Sequence, residues 1–286
     1  MKDQAEKLRL KMTDIAKKSQ AKTIAVVSGK GGVGKSNISI NIAMLLNKKG
    51  NKVLLFDFDI GMGNVNILLG KPSRLTLSEF LHEEATLKDL INDINEGVSY
   101  IAAGNGLNET IDIDERMLTR LLEGLKDLQH QYDYIIFDMG AGATSASLKV
   151  LLAVEDIIVI TTPEPTAITD AYSMMKFICL EGATGNFFLI CNRADNEKQG
   201  RETLERLKQT ALKFLHKEVA SLGILPEDSH VRKAVINQTA FSVSYPKSSI
   251  SIKLENLVRL YLDEQNMDDS NKAEDSFIHR LRRFFF

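Results

Sequence analysis

The residues with the clearest chemistry lie in a glycine-rich segment near the start of the chain. Residues 29–36 read Gly-Lys-Gly-Gly-Val-Gly-Lys-Ser, which is the spacing of a phosphate-binding loop. In such a loop backbone N–H groups surround phosphate oxygens, a lysine reaches the β- and γ-phosphates, and a serine hydroxyl ligates Mg²⁺. The motif therefore predicts a catalytic role for Lys35 and a metal ligand in Ser36. The predicted phosphate contacts are Gly29, Lys30, Gly31, Gly32, Val33, Gly34, Lys35, Ser36 and Asn37.

The segments on either side of this loop have the patterns of a buried strand and a helix. Residues 23–28 are apolar and rich in β-branched side chains, which is typical of a buried strand. Apolar residues then recur at helical spacing over 38–46, and the lysines and glycine of 47–50 indicate where this helix stops. A strand, a glycine loop and a helix aim backbone N–H groups at phosphate. A glycine-rich turn that binds nothing is the alternative, and the complete motif disfavours it.

Two further apolar runs end in aspartates. Residues 53–59 read Val-Leu-Leu-Phe-Asp-Phe-Asp, and residues 134–138 read Tyr-Ile-Ile-Phe-Asp. An aspartate that follows a buried strand beside a phosphate loop can hold Mg²⁺, usually through a water molecule. We assign Asp138 to the metal, Asp59 to the orientation of an attacking water, and Asp57 to the support of the metal. A simple strand-end cap is an equally good interpretation of Asp57.

The sequence contains no Ser–His or Cys–His arrangement that indicates covalent catalysis. The histidines are scattered along the chain, and the acids named above are the strongest candidates for a base near the phosphate loop. Hydrolysis would therefore depend on positioning and charge stabilisation. We expect it to be slow without a stimulating partner.

Apolar runs and helical patterns alternate along the middle of the chain. This alternation predicts an α/β fold with a doubly wound, mostly parallel sheet flanked by helices. Ligands of such sheets lie at the carboxyl ends of the strands, where all the motifs above fall. The predicted strands are 23–28, 52–58, 98–102, 133–138, 156–162, 186–191 and 219–225, and the predicted helices are 35–48, 114–129, 145–153, 166–180, 197–217 and 249–262.

The composition limits the class of protein. The chain has 286 residues, 44% of them hydrophobic, which suits one large α/β domain or two small ones. Its net charge of −2 gives no general attraction to nucleic acid. Cys179 and Cys191 lie in apolar surroundings without metal-ligand spacing, which predicts buried free thiols in a reducing cytoplasm. No apolar run approaches the roughly 18 residues that span a bilayer.

The motifs together resemble those of the deviant-Walker ATPases of the MinD/ParA class of P-loop NTPases. The likeness covers nearly all of residues 21–262, and it includes the early lysine of the loop and the segment 161–166, Thr-Thr-Pro-Glu-Pro-Thr. It implies ATP or ADP with Mg²⁺, and an ATP-bound homodimer in which Lys30 reaches the partner's nucleotide as a catalytic group. It also implies an adenine site, for which a polar strand end and a proline-initiated turn are the alternatives. The residues of that site would be Asn192, Arg193, Pro226, Glu227 and Asp228.

The C-terminal part of the chain changes abruptly from acidic to basic and aromatic. Residues 263–275 are acidic and poor in large apolar groups, which predicts a solvated linker. Residues 276–286 have the pattern of an amphipathic helix that lies in a membrane interface, and they resemble the membrane-targeting tail of MinD. The alternatives are a terminal helix packed on its own core and a helix that binds a partner. The predicted membrane contacts are Phe277, Ile278, Arg280, Leu281, Arg282, Arg283, Phe284 and Phe285.

The first 20 residues form a polar, lysine-rich helical pattern outside the core. Residues 3–9 match the Asp-Gln-Ala-x-x-Leu-Arg signature of the FlhG family of flagellar MinD-like ATPases, also called FleN or YlxH. That resemblance implies that residues 1–20 contact the flagellar SRP-type GTPase FlhF and stimulate its hydrolysis. An ordinary solvated helix is the alternative. The implied contacts are Asp3, Gln4, Ala5, Leu8 and Arg9.

These patterns predict a cytoplasmic ATPase switch that dimerises with ATP, associates peripherally with the inner face of the cell membrane, and regulates flagellar number or placement. The implied partners are FlhF, flagellar switch-complex (C-ring) proteins and membrane phospholipid, with no specific nucleic acid. A MinD-type regulator of the division site is the main alternative, and residues 3–9 disfavour it. Net charge disfavours a ParA-type DNA-segregation ATPase, and the lack of a Cys-x-x-Cys pair excludes an iron–sulfur relative. A binding module with an inactive nucleotide site is a further alternative.

Overall fold

The computed structural model describes residues 20–59, 63–82, 84–104, 115–140, 145–268 and 277–285. Within these residues, eight strands form one sheet. The strands are β1 (Lys22–Val27), β2 (Val53–Phe58), β3 (Asn92–Asn95), β4 (Val98–Ile101), β5 (Tyr134–Met139), β6 (Asp156–Thr161), β7 (Asn186–Ala194) and β8 (Val219–Pro226). Their order in the sheet is β3-β4-β2-β5-β1-β6-β7-β8, and every neighbouring pair is parallel except β3 and β4.

Helices connect the strands and follow the last of them. They are α1 (Lys35–Lys48), α2 (Val65–Leu68), α3 (Leu77–Leu81), α4 (Glu115–Gln129), α5 (Ser145–Ala153), α6 (Pro165–Leu180), α7 (Glu197–Leu215), α8 (Ser229–Ile236), α9 (Phe241–Ser244), α10 (Ser249–Asp268) and α11 (Phe277–Phe285).

Helices cover both faces of the sheet. One core lies between the sheet and α1, α8, α9 and α10, and the other lies between the sheet and α4, α5, α6, α7 and α11. The central strands β1, β2, β5 and β6 are buried on both sides and are almost wholly apolar, as a doubly covered parallel sheet requires. The doubly wound α/β fold predicted from the sequence is confirmed.

The structure differs from the sequence prediction at one sheet edge and near the C-terminus. The sequence does not predict β3 because its residues, Asn-Asp-Ile-Asn, are mostly polar; it forms an antiparallel edge strand with a bulge. The sequence predicts that α10 ends at residue 262, whereas the helix continues to Asp268. Gln265, inside the predicted acidic linker, is buried against the sheet, and this contact explains the longer helix.

A buried carboxylate ties α10 to the end of the sheet opposite the phosphate loop. Asp156 accepts hydrogen bonds from the Tyr261 hydroxyl at 2.7 Å and from the side-chain amides of Gln265 and Asn186, each at 3.0 Å. The Lys22 ammonium lies 3.1 Å away and balances the carboxylate charge. A buried charge is tolerated when it is paired and fully hydrogen-bonded, and Asp156 meets both conditions.

The C-terminal helix α11 packs on the core between α4 and α5. Phe277 and Leu281 are completely buried, Ile278 is nearly so, and the rings of Phe277 and Phe137 lie 5.7 Å apart. The apolar face predicted to contact a membrane therefore contacts the protein itself, which is an alternative that the sequence left open. Among the described residues, no helix has both the length and the apolar character needed to cross a bilayer.

Candidate nucleotide and magnesium site

The phosphate loop lies at the carboxyl end of β1, in the middle of the sheet. Gly34 precedes α1 with φ 92°, a left-handed conformation that favours glycine. A Cβ atom on Gly29 would lie 2.0 Å from the Asp170 carbonyl group, so α6 can approach the loop only because residue 29 is glycine. Among the side chains that the structure describes, none caps the N-terminus of α1. Its first N–H groups are therefore available to a phosphate.

Lys35 and Asp138 form a buried ion pair beside the loop. The Lys35 Nζ atom lies 2.8 Å from Asp138 Oδ1, and the lysine side chain is 8% exposed. The Ser39 hydroxyl donates to the same oxygen at 2.9 Å. Asp138 Oδ2 is buried and has no hydrogen-bond partner among the described residues. An unpaired buried oxygen is costly, so this carboxylate, with the half-buried Ser36 at the start of α1, fits the predicted Mg²⁺ and its water shell.

Asp57 lies next to Asp138 because the two residues are paired in the register of β2 and β5. Burial, followed by the neighbouring charge of Asp138, raises the pKa of Asp57 to about 7. The Asp57 carboxylate accepts hydrogen bonds from the backbone N–H groups of Asp59 and Val65, each at 3.2 Å. These hydrogen bonds are those of a strand-end cap, which is the alternative that the sequence left open. Asp57 nevertheless lies close to Asp138, the candidate metal ligand.

Asp59 lies at the rim of the same site. Its carboxylate approaches Gly140 so closely that a Cβ atom there would lie 2.6 Å from Asp59 Oδ1. Burial raises the pKa of Asp59, while the charge of Lys35 opposes this rise. A partly buried carboxylate beside the Lys35–Asp138 pair is suitably placed to orient a water molecule.

Lys30, the additional lysine of the loop, contacts a different carboxylate. Its Nζ atom lies 2.9 Å from Glu164 Oε2 and 3.3 Å from the Thr166 hydroxyl. The hydrogen bond from Lys30, with its charge, lowers the pKa of the Glu164 carboxyl. The two side chains are 42% and 59% exposed, so the pair adds little to stability and can be exchanged for another partner.

The residues predicted to hold adenine come together at the ends of β7 and β8. Asn192 donates a hydrogen bond to the Val33 carbonyl at 2.8 Å, while its Oδ1 atom is buried without a partner among the described residues. Arg193 has a φ of 59° and lies 2.6 Å from Glu227 Oε2. A cavity of about 460 Å³ is lined by Arg193, Glu227 and Glu164. The unpaired Asn192 oxygen fits a donor such as an exocyclic amine.

Residues 226–228 form the turn into α8. Pro226 ends β8, and Asp228 caps α8 by accepting a hydrogen bond from the His230 N–H at 2.9 Å. Asp228 also accepts from the Ile250 N–H at 3.2 Å, which holds the start of α10. For Asp228 the structure therefore shows the turn-forming contacts that the sequence left as an alternative to adenine binding.

The sequence did not single out two members of the site. Ser39 lies one helical turn after Lys35, and this spacing on one helix face is the signal that could have identified it. Glu164 belongs to the segment 161–166, but its contact with Lys30 joins residues 134 positions apart, which no local pattern indicates.

Some predicted contacts lie in segments near the two ends of the chain. Asp3, Gln4, Ala5, Leu8 and Arg9 lie outside the described residues, as does the predicted linker after Asp268. On the docked α11, His279, Arg282 and Arg283 are exposed, while Phe284 is half-buried.

The chain matches a known protein family over most of its length. A family model described as ParA, NUBPL iron-transfer P-loop NTPase, matches residues 19–261. The chain belongs to the ParA family of P-loop NTPases. The iron transfer in this name belongs to the family model. In this chain Cys191 is buried, Cys179 is half-buried, and neither forms a disulfide.

Two relatives within the ParA family carry flagellar names. The antiactivator FleN of Pseudomonas aeruginosa is 31% identical over 80% of this chain and 82% of its own. The flagellum site-determining protein YlxH of Helicobacter pylori is 32% identical over 93% of this chain and 92% of its own. The chain is thus a homologue of FleN and YlxH, the FlhG group that the sequence predicts.

A solved structure of a ParA-family relative shares the fold. The septum site-determining protein MinD of Pyrococcus horikoshii, complexed with Mg-ADP, matches with a TM-score of 0.70 and 25% identity. The match covers 88% of this chain and 100% of that one.

Proposed function

We propose that this P-loop ATPase is an ATP-dependent switch that regulates flagellar number or placement. The observation that carries this proposal is the homology to FleN and YlxH over most of the chain. The Mg-ADP in the Pyrococcus horikoshii relative supports ATP, ADP and Mg²⁺ as ligands of the site. FlhF, flagellar switch-complex proteins and phospholipid are the proposed partners.

The residues of the site have separate tasks in hydrolysis. Backbone N–H groups of the loop and of the first turn of α1 bind the phosphates, and Lys35 neutralises charge on them. Mg²⁺, held by Ser36 and Asp138, would supply positive charge to the phosphate oxygens. Asp59 orients the attacking water. Lys35 must exchange Asp138 for phosphate when ATP enters, since it is paired with that carboxylate here.

Lys30 makes hydrolysis dependent on a second subunit. Its ammonium is held by Glu164 and Thr166 on its own subunit. In an ATP-bound homodimer Lys30 would leave this contact and neutralise phosphate charge of the partner's ATP. Because the contact is exposed, the exchange costs little.

Membrane association requires α11 to leave the core. Its apolar side chains are buried against α4 and α5, and the same side chains cannot contact lipid at the same time. We assign the docked helix to the cytoplasmic form and the released helix to the membrane-bound form. Two released helices on one dimer would bind more tightly than one.

A regulator of the division site is the second candidate function, favoured by the likeness to the Pyrococcus horikoshii MinD. The two functions share the ATPase core and differ in the N-terminal segment, residues 3–9.

Size-exclusion chromatography with Mg-ATP or Mg-ADP tests the proposed switch. We expect a dimer with ATP and a monomer with ADP, and the Asp59→Ala variant should hold the ATP dimer longer. Lys30→Ala should lower ATP turnover by about a hundredfold or more, whereas Lys198→Ala, an exposed lysine on α7, should not change it. A chain that stays monomeric with ATP in all variants would contradict the proposal.

A further inference from the structure

Two adjacent acids at the amino end of β6 hold the two C-terminal helices. Asp156 binds Tyr261 and Gln265 of α10, which packs on one face of the sheet. Glu155 meets Arg280 of α11, which packs on the other face. The Asp156 contacts are fully buried, whereas the Glu155 and Arg280 side chains are 25% and 14% exposed. The attachment of α11 is therefore the more accessible of the two.

Glu155 is fixed in position by β1. Its Oε2 atom accepts hydrogen bonds from the Thr23 backbone N–H at 2.5 Å and from the Thr23 hydroxyl. Its Oε1 atom lies 3.8 Å from Arg280 Nη2, an ion-pair distance beyond that of a hydrogen bond. Arg280 Nε also donates to the Ala153 carbonyl at 2.8 Å, which orients the guanidinium toward the acid.

The docked helix already exposes part of its basic face. His279, Arg282 and Arg283 are exposed while Phe277 and Leu281 are buried. An anionic membrane surface attracts the Arg282 and Arg283 guanidinium groups over about 8 Å at physiological salt. The first contact with a membrane can therefore form before the apolar face is released, and it brings lipid phosphates close to Arg280.

We infer that the Glu155–Arg280 ion pair helps the buried apolar side chains to retain α11 on the core, and that an anionic phospholipid promotes release of the helix by replacing Glu155 as the partner of Arg280. This inference rests on the membrane association proposed above. The guanidinium exchanges a carboxylate at 3.8 Å for a phosphate that it can bind with two hydrogen bonds. A surface without net negative charge attracts the exposed cations less and leaves α11 docked.

Vesicle sedimentation of the full chain without nucleotide tests this exchange. The vesicles contain phosphatidylcholine alone, or phosphatidylcholine and phosphatidylglycerol in equal parts. Glu155→Gln keeps oxygen and amide groups near Thr23 but removes the charge. We expect it to raise binding to the anionic vesicles about twofold to fivefold. Glu202→Gln, the same change at an exposed site on α7, should behave as the unaltered chain.

Arg280→Gln separates the retention of the helix from lipid binding. Hydrogen exchange of residues 277–285 without lipid should become faster in both Glu155→Gln and Arg280→Gln, because each loses the ion pair. Only Glu155→Gln should bind anionic vesicles more strongly, because Arg280→Gln lacks the guanidinium that would bind the lipid phosphate.

Unchanged exchange and unchanged vesicle binding in Glu155→Gln would overturn the inference, even if the unaltered chain binds vesicles with Mg-ATP. Equal binding of Glu155→Gln to both kinds of vesicle would overturn the role of lipid charge. If no variant binds vesicles even with Mg-ATP, the membrane association itself is wrong, and the inference falls with it.

Discussion

At the residue scale, the site is a compact group of opposite charges that ATP must rearrange. Lys35 and Ser39 both contact one oxygen of Asp138, and Asp57 lies alongside in the next strand. Lys30 contacts Glu164 instead. Lys35 and Lys30 thus each contact a carboxylate in the absence of nucleotide. When phosphate binds, each lysine must exchange this carboxylate for phosphate oxygens.

The buried carboxylate of Asp57 should make stability depend on pH. Its pKa is raised by burial from 3.8 to about 7, so the folded chain holds this proton more tightly than the unfolded chain. The corresponding stability is fully present below pH 3.8 and is lost as pH rises through about 7. We expect Tm of the nucleotide-free protein to fall between about pH 5 and about pH 8.

Asp57→Asn is the matched control for this effect. An asparagine oxygen can still accept the N–H groups of Asp59 and Val65 but does not ionise in this range. Thermal melts should therefore show a flatter dependence on pH for Asp57→Asn. The same slope in both proteins would show that other groups control the effect.

At the element scale, α11 completes the helical layer on one face of the sheet. It fills the groove between α4 and α5, and its Phe277 ring joins the aromatic rings of β2 and β5 through Phe137. It is connected to α10 through residues 269–276, outside the described residues. The helix can therefore be tested as a separate unit of stability.

Phe277→Ala should weaken the docking of α11 more than it weakens the rest of the fold. Removing a fully buried phenylalanine costs about 3 to 5 kcal/mol. This cost exceeds the free energy with which a short helix is expected to stay docked on the core. Hydrogen exchange should show residues 277–285 losing protection while β1 and β5 keep theirs. Phe137→Ala, in the sheet, should instead lower Tm of the whole protein. Loss of protection in β5 upon Phe277→Ala would show that α11 is part of one cooperative core.

The sequence predicted the parts of this structure that depend on local patterns. Strands β1, β2 and β5 are apolar runs in the sequence. The loop 29–36 is identified by the spacing of its glycines and lysines, and the acids by their positions directly after apolar runs. The contact of Lys30 with Glu164 and the end of α10 depend on residues distant in sequence, so no local pattern gives them. An amphipathic helix such as α11 has the same sequence pattern whether its apolar face contacts lipid or protein. The groove between α4 and α5, which receives this face, is formed by residues distant in sequence.

At the scale of the whole molecule, a nucleotide-binding core lies between two terminal segments proposed to contact different partners. The core is common to the ParA family, as the matches to FleN, YlxH and MinD illustrate. We therefore expect differences in biological role within the family to arise mainly from the terminal segments and from surfaces outside the nucleotide site.

Deletion of residues 1–20 tests the N-terminal segment directly. We expect the shortened chain to bind ATP normally and to lose stimulation of the FlhF GTPase, because the nucleotide site is built from residues after 28. GTP turnover by FlhF is the measurement, and Gln4→Ala is the point variant that should reproduce most of the loss. Full stimulation by the shortened chain would contradict the assignment.

The cluster around Asp156 has a consequence for the synthesis of the chain. It joins Lys22 in the first strand to Gln265 in the last long helix, 243 positions later. A ribosome must therefore release the chain as far as Gln265 before β1 acquires its full set of neighbours. Until then the nascent chain carries strands with uncovered faces, and we expect a nascent chain truncated before Tyr261 to bind chaperones.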